Sequence, residues 1–365
     1  MHWTWCSTAH AAQNRTPPMY TRITPETSQK IKNMSLLCAM LVVSIHIGWP
    51  HDVPLSTGWF VYNGVKGGVA RMAVPFFFIV SGFFLAQHFD EKDWWGRESI
   101  KRIKSLVVPF VFWSVAEFIT TTPLSIIADI LANRLFGTNL LFIHGTNWLN
   151  VLGLDLTEFP THYPLWFVRC LFLFVVTAQA FKMAVAKLGA IWLSIAFAFS
   201  LVCNHIPNEN WREFFSVGYS AGGIFYFSVG IFLQRFKPAP LSSRCAILCV
   251  AIGIICLAAK LVFAYHGWRF ESVLGKVLLP FLIYGTWHYM TAAKLPSWLT
   301  GCSFPIFLMH NIVLAYFGVT RKRLPLGDMA FCMMAYVGSI TLSIIFTCIL
   351  RRCAPKFSAV VFGGR

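Results

Sequence analysis

The stretch that decides the fold is Met34 to Pro50, MSLLCAMLVVSIHIGWP, an apolar run that contains a single histidine, His46. About 20 apolar residues in a helix cross roughly 30 Å of hydrocarbon, so a run of this kind predicts a membrane-spanning helix. A second such run, FPIFLMHNIVL at 304–314, contains His310. Because an ionisable side chain is costly inside hydrocarbon, a histidine on a spanning helix indicates a functional site.

The composition of the whole chain agrees with this prediction. Of its 365 residues, 57% are hydrophobic and 12% are charged, whereas ordinary soluble domains have about 25% charged residues. We therefore predict an all-α protein, a polytopic membrane helix bundle of about ten transmembrane helices. The predicted spans are 34–50, 70–89, 106–128, 164–182, 188–206, 214–234, 245–265, 274–293, 302–320 and 328–350.

The predicted helices form one transmembrane domain over 34–352. Residues 1–33 are polar and lack an apolar core, so they are not a secretory signal peptide. We expect this segment to be disordered and cytoplasmic. Residues 353–365 are expected to form a short cytoplasmic tail.

The distribution of Lys and Arg orients the bundle, because short basic loops stay in the cytoplasm. With ten spans, nearly all of these loops fall on one side, which predicts a cell-membrane protein with both termini cytoplasmic and the loop at 134–163 external. The exception is the triplet Arg321, Lys322 and Arg323. The net charge of +16 is therefore mostly a topology signal, and no basic stretch interleaved with aromatics indicates nucleic acid.

The eleven cysteines show neither a CxxC pair nor a Cys/His arrangement with zinc spacing. Most of them lie in predicted spans, where a thiol behaves as a small apolar side chain. We expect neither disulfides nor a metal.

Five segments carry a resemblance to a known family. They are LVVSIH at 41–46, MAVPFFFIVSGFFLA at 72–86, KRIKSLVVPFVFW at 101–113, PLWFVR at 164–169 and FPIFLMH at 304–310. In this order they resemble the membrane acyltransferase-3 family over nearly the whole chain. The resemblance implies transfer of acyl groups, usually acetyl, from cytoplasmic acyl-CoA to sugars of envelope glycans or related acceptors. The chain has Ser35 and Ser105 where many members carry arginines.

The resemblance implies a catalytic histidine at His46. Acyl transfer to a hydroxyl needs a group that takes the hydroxyl proton, or a nucleophile that is acylated first, and an imidazole suits both roles. An interfacial histidine bonded to a carbonyl is the structural alternative. Glu117 is the only acidic residue well inside a predicted span. It is a candidate to orient His46, to pair with Arg169, or to line a cavity as a structural carboxylate.

Two arginines, Arg71 and Arg169, open predicted spans at the external side. A guanidinium there could stabilise a developing oxyanion or bind an anionic sugar or phosphate. Snorkelling to the headgroup boundary is the alternative for both residues. Trp166 is a candidate for sugar stacking, although an interfacial anchor is the more common role of such a tryptophan.

Other polar positions inside spans have two interpretations each. Ser81, with Gly82, interrupts a bulky helix, which favours close helix packing or the lining of a channel for the donor. His310 and Asn311 put two polar groups at apolar depth. They indicate an interhelical hydrogen bond or a second proton-handling site.

Three closely spaced cations, Lys101, Arg102 and Lys104, open a predicted span on the cytoplasmic side. They are candidates to bind the phosphates of acyl-CoA, since cations in a site that excludes water would hold such a ligand. Ordinary positive-inside charge is the alternative.

The leading hypothesis is thus an enzyme that transfers an acyl group, usually acetyl, from acyl-CoA to a saccharide or glycolipid acceptor in the membrane. A proton-coupled transporter is the second hypothesis, because intramembrane His, Glu and Arg also suit a carrier. A non-catalytic subunit of glycan export is the third, and it would require His46 to be dispensable. The sequence leaves the acyl group, the acceptor and the oligomeric state open.

Overall fold

The computed structural model describes residues 23–131, 148–239, 242–268, 271–321 and 324–364. All regular elements in these ranges are helical. The helices are α1 Pro25–His46, α2 Thr57–Phe60, α3 Ala73–Ala86, α4 Trp94–Arg102, α5 Val108–Leu131, α6 Trp148–Val151, α7 Trp166–Val176, α8 Ala178–Leu188, α9 Ala190–Val202, α10 Glu209–Glu213, α11 Ala221–Phe236, α12 Ser243–Tyr265, α13 Glu271–Tyr289, α14 Ser297–Thr300, α15 Ser303–Thr320, α16 Asp328–Cys353 and α17 Pro355–Val361.

The described helices include several that can cross a membrane. Five helical stretches are long and apolar enough, or up to seven if each of two bent pairs is one span. One bent pair is α7 with α8, which meet at 69° in the region predicted as the span 164–182. The all-α membrane bundle is confirmed, and the number ten stays a prediction.

The first helix begins earlier than predicted. Thr24 caps α1, because its side chain accepts a hydrogen bond from Thr27 N at 3.1 Å, and Pro25 occupies the first turn. The expectation of disorder over 1–33 was therefore wrong from Pro25 onward, and residues 1–22 lie outside the described ranges. The helix ends at His46, where Ile47 turns to an extended conformation.

The centre of the bundle is the packing of α3 against α11. Gly82 on α3 lies so close to the carbonyl of Phe227 that a Cβ would collide with it, and Gly230 on α11 lies equally close to the carbonyl of Ile79. Small residues let helix backbones approach in this way. The packing interpretation of Gly82 is confirmed.

Beside this pair, α15 packs against α1, α5 and α16. This places the two predicted intramembrane histidines, His46 on α1 and His310 on α15, on neighbouring helices.

The predicted C-terminal tail is a packed helix. In α17, Val361 is fully buried and its carbonyl accepts a hydrogen bond from the indole of Trp113 on α5, at 3.0 Å. The ring of Phe362 stacks on the same indole. The predicted tail over 353–365 thus includes a helix that covers the first turns of α5, and its cytoplasmic side stays a prediction.

Two predicted features are only partly described. Residues 132–147, in the loop predicted to be external, lie outside the described ranges, as do Lys322 and Arg323 of the basic triplet. Arg321 makes an ion pair with Asp328 at 2.6 Å and lies over the ring of Phe331.

Candidate active site

Two histidines meet where α1 ends. The ring of His46 lies 4.9 Å from the ring of His310 and 5.3 Å from that of Tyr163, measured between centroids. His310 is fully buried, and its Nδ1 lies 3.1 Å from the carbonyl of Ile306. A carbonyl only accepts, so Nδ1 carries a hydrogen, and in the neutral imidazole Nε2 then holds a lone pair. This Nε2 is buried and has no hydrogen-bond partner among the described residues.

A second polar cluster lies next to the histidine pair. Glu117 on α5 contacts Nδ1 of His162 and accepts a hydrogen bond from Asn311 at 2.9 Å. Nε2 of His162 lies 2.7 Å from the carbonyl of Leu308 and therefore donates to it. A hydrogen bond between Nδ1 of His162 and the carboxyl of Glu117 then requires a proton on one of these two groups. The cluster joins α5 to the part of α15 that carries His310.

Two cavities open at opposite ends of α1 and α3. The histidine cavity has a volume of about 400 Å³ and is lined by His46, Arg71, Tyr163, Trp166 and Lys276, among others. The basic cavity has a volume of about 380 Å³ and is lined by Ser35, Ser81, His88, Lys101 and Arg102, among others.

The two cavities share one wall. Phe167 on α7 and Phe307 on α15 line both of them, with ring centroids 5.5 Å apart in a T-shaped arrangement. Phe307 also lies 6.2 Å from His310, between ring centroids. These two rings thus separate the basic cavity from the histidine pair.

The charges of the basic cavity are partly balanced. Glu98 is almost fully buried and pairs with Lys101 at 3.2 Å and with Arg102 at 3.4 Å. Nδ1 of His88 lies 2.8 Å from Glu91, and burial lowers the pKa of His88 below its ordinary value of 6.5. The cavity thus offers an ammonium and a guanidinium, held in place by one carboxylate.

Most predicted binding residues line one of the cavities. Arg71 and Trp166 face the histidine cavity, and Ser81 faces the basic cavity together with Lys101 and Arg102. Lys104 is exposed and is not among the described lining residues of the basic cavity. Asn311 makes the interhelical hydrogen bond that was one of its two interpretations.

Arg169 is bound by backbone carbonyls outside the two cavities. Its guanidinium donates to the backbone carbonyls of Gly153 at 3.1 Å, Glu158 at 2.9 Å and Val217 at 3.4 Å, and it is buried. In the described chain it pairs with carbonyls rather than with Glu117, and it lines neither cavity. Its observed contacts join the loop before α7 to the segment that precedes α11.

Sequence reasoning missed three residues of the site. His162 and Tyr163 precede a predicted span, where a histidine or tyrosine carries no signal of depth, and Lys276 resembles an ordinary helix-end lysine. The adjacency of His162 to PLWFVR was the available hint. No group of three or more His, Cys, Asp or Glu side chains in the described ranges is arranged to hold a metal ion.

Comparison with known proteins identifies the family of the chain. The model of the family Acyl_transf_3, described as an acyltransferase domain, matches residues 31–349. The chain belongs to this family of membrane acyltransferases. Neither the comparison with curated proteins nor that with solved structures gave a match.

Proposed function

We propose that the protein transfers an acyl group, with acetyl the expected one, from acyl-CoA to a hydroxyl of an envelope saccharide or lipid-linked glycan. The observation that carries the proposal is the pair of cavities that open at opposite ends of the bundle and share the partition of Phe167 and Phe307 beside the histidine pair. A transferase that joins substrates from two sides of a membrane needs two such compartments and a reactive group where they meet.

The basic cavity suits the donor. Lys101 and Arg102 can contact the phosphates of CoA, while the apolar walls formed by Phe77, Phe84 and Phe304 suit the pantetheine arm and a short acyl chain. Glu98 offsets part of the positive charge and holds Lys101 and Arg102 in position. The cavity would therefore bind phosphates through these two side chains rather than through diffuse positive charge.

The histidine cavity suits the acceptor and the chemistry. As base, His46 takes the hydroxyl proton while the oxygen forms a bond to the acyl carbon and the C–S bond breaks. The thiolate of CoA then receives that proton from the imidazolium. The lone pair of His310 beside it can accept a hydrogen bond from His46 and fix its tautomer. In the other route His46 is acylated first and passes the acyl group on.

The decisive experiment uses purified His46→Ala protein. We expect loss of acyl transfer with acyl-CoA affinity retained, since the imidazole lines the cavity opposite the donor. His266→Ala is the matched control, because His266 is exposed and stacks on Trp268. Wild-type transfer by folded His46→Ala protein would refute the proposal. Mass analysis of protein quenched without acceptor distinguishes the routes, because acyl-His46 accumulates only in the second.

The donor site has its own test, the triple variant Lys101→Gln, Arg102→Gln and Lys104→Gln. Loss of one charged contact costs about 1.5 to 3 kcal/mol, so acyl-CoA affinity should fall about tenfold to a hundredfold. Lys92→Gln is the control, because Lys92 is exposed and does not line the basic cavity. If the correctly inserted triple variant binds acyl-CoA with unchanged affinity, the donor site lies elsewhere.

The proposal also fixes an orientation, with the basic cavity and both termini on the cytoplasmic side of the cell membrane. The Lys and Arg distribution supports it. Cysteines introduced at positions 95 and 147 in intact cells test it, and labelling at 147 alone is expected. Labelling at 95 alone would reverse the orientation.

A further inference from the structure

The histidine cavity contains two cations. Arg71, which precedes α3, and Lys276, on α13, both line it, and its described lining includes no Asp or Glu. Neither residue makes an ion pair within the described ranges, in contrast to Lys101 and Arg102 in the basic cavity. A cavity with two positive side chains and no lining carboxylate favours an anionic occupant.

Lys276 is fixed in the wall of the cavity. Its Nζ donates to the carbonyl of Ser200 at 2.6 Å, near the end of α9. An ammonium group has three N–H bonds, and this contact uses one of them. The carbonyl is neutral, so the bond orients the ammonium without cancelling its charge.

Arg71 is the second cation of the cavity. It is exposed, and it lines the cavity together with His46 and Tyr163. A guanidinium at this position is therefore close to the group proposed to activate the acceptor hydroxyl.

Neutral hydrogen-bond donors complete the cavity. The hydroxyl of Ser216 and the amide of Asn204 line it, as does the first turn of α11 at Gly222. A Cβ at Gly222 would meet no atom within 4 Å, so this turn borders open space. The positive end of a 16-residue helix adds to the field of the two cations.

The remaining lining is aromatic. Trp166, Phe215 and Tyr226 provide flat apolar surfaces of the kind that pack on sugar rings. The cavity volume of about 400 Å³ lies in the range of small-ligand pockets.

We propose that the acceptor is an anionic saccharide, whose carboxylate or phosphate binds Arg71 and Lys276 while its reacting hydroxyl faces His46. This inference rests on the proposed function, because it names the substrate class of the same site. The oxyanion can come from a uronic acid in the sugar or from the phosphate that links a sugar to a lipid carrier, and both would use the same two cations.

Binding measurements test the inference without turnover. Calorimetry on the purified protein uses glucuronic acid, glucose 1-phosphate, glucose and inorganic phosphate as probes. One lost charged contact corresponds to about tenfold or more in affinity. We therefore expect at least one charged sugar to bind about tenfold or more tightly than glucose. Preference for glucuronic acid indicates a sugar carboxylate, and preference for glucose 1-phosphate indicates a carrier phosphate.

Variants of Lys276 then test whether this cation carries the effect. Lys276→Gln should weaken binding of the charged sugar about tenfold or more and leave glucose unchanged, and Lys276→Arg should restore much of it. Lys294→Gln is the control, because Lys294 is exposed and outside the described lining of the cavity.

Three results would overturn the inference: equal binding of glucose and both charged sugars, no binding of either charged sugar, or an unaltered preference in Lys276→Gln. Inorganic phosphate that binds as tightly as glucose 1-phosphate would also overturn it, as an adventitious anion site. Failure of the proposed function is seen separately, as acyl transfer that persists in His46→Ala.

Discussion

The buried carboxylate of Glu117 permits a quantitative prediction about the free energy of unfolding. Leucine at this position has a similar size but no hydrogen-bonding atom, so Glu117→Leu leaves Nδ1 of His162 and the amide of Asn311 without their partner. Each buried polar group without a partner costs about 1 to 3 kcal/mol, which gives a loss of about 2 to 6 kcal/mol in the free energy of unfolding. Both groups border His310, so acyl transfer should fall as well.

Glu117→Gln separates hydrogen bonding from charge. Its carbonyl still accepts from Asn311, and its amide can donate to Nδ1 of neutral His162, so we expect a loss below about 1.5 kcal/mol. Equilibrium unfolding in mixed micelles measures both variants against Glu209→Leu, because Glu209 is exposed. A Leu variant as stable as the control, or a Gln variant as unstable as the Leu variant, would refute this reasoning.

Three further predictions concern the partition and two other histidines. Phe307→Ala should connect the two cavities and raise acceptor-independent hydrolysis of acyl-CoA, measured as released thiol, and an unchanged rate would contradict the role of Phe307 as a partition. His310→Phe should lower kcat about a hundredfold or more with unchanged donor affinity, as expected when a proton-handling group is lost. The residual rate should also have a shifted pH profile, which would not occur if His310 served only in packing. Burial lowers the pKa of His88, so protonation of this residue favours the unfolded state. The stability of the protein should therefore fall as the pH drops below about 6.5, and it should fall less steeply in His88→Gln. Thermal unfolding between about pH 5 and 7 measures both proteins.

The class of fold follows from the sequence, because a chain that is 57% hydrophobic has few alternatives to a membrane bundle. His46 was also predictable, since one imidazole on a spanning helix stands out against its neighbours. Glu117 stood out for the same reason, but its partner did not. His162 lies in a connecting segment, and only the folded chain shows that this segment enters the bundle beside Leu308.

Arg169 shows the opposite limit. A buried guanidinium near an external helix end predicts an anion site, yet a segment that turns back over the helix can satisfy the same group with carbonyls, as Gly153 and Glu158 do here. Whether carbonyls can bind the guanidinium depends on the conformation of the loop, which the periodicity of apolar residues does not predict. The start of α1 was missed for another reason, because a polar first turn with a capping Thr24 resembles a disordered segment in composition.

The contact between Trp113 and Val361 has a consequence for biogenesis. These residues are 248 positions apart in the chain, and synthesis at about 5 to 20 residues per second separates their emergence by roughly 12 to 50 s. During that interval α5 is already in the membrane, but its first turns, next to the cations of the basic cavity, have no cover from α17. A ribosome stalled before residue 355 would therefore hold a chain in which the basic cavity is formed but the first turns of α5 beside it are still uncovered.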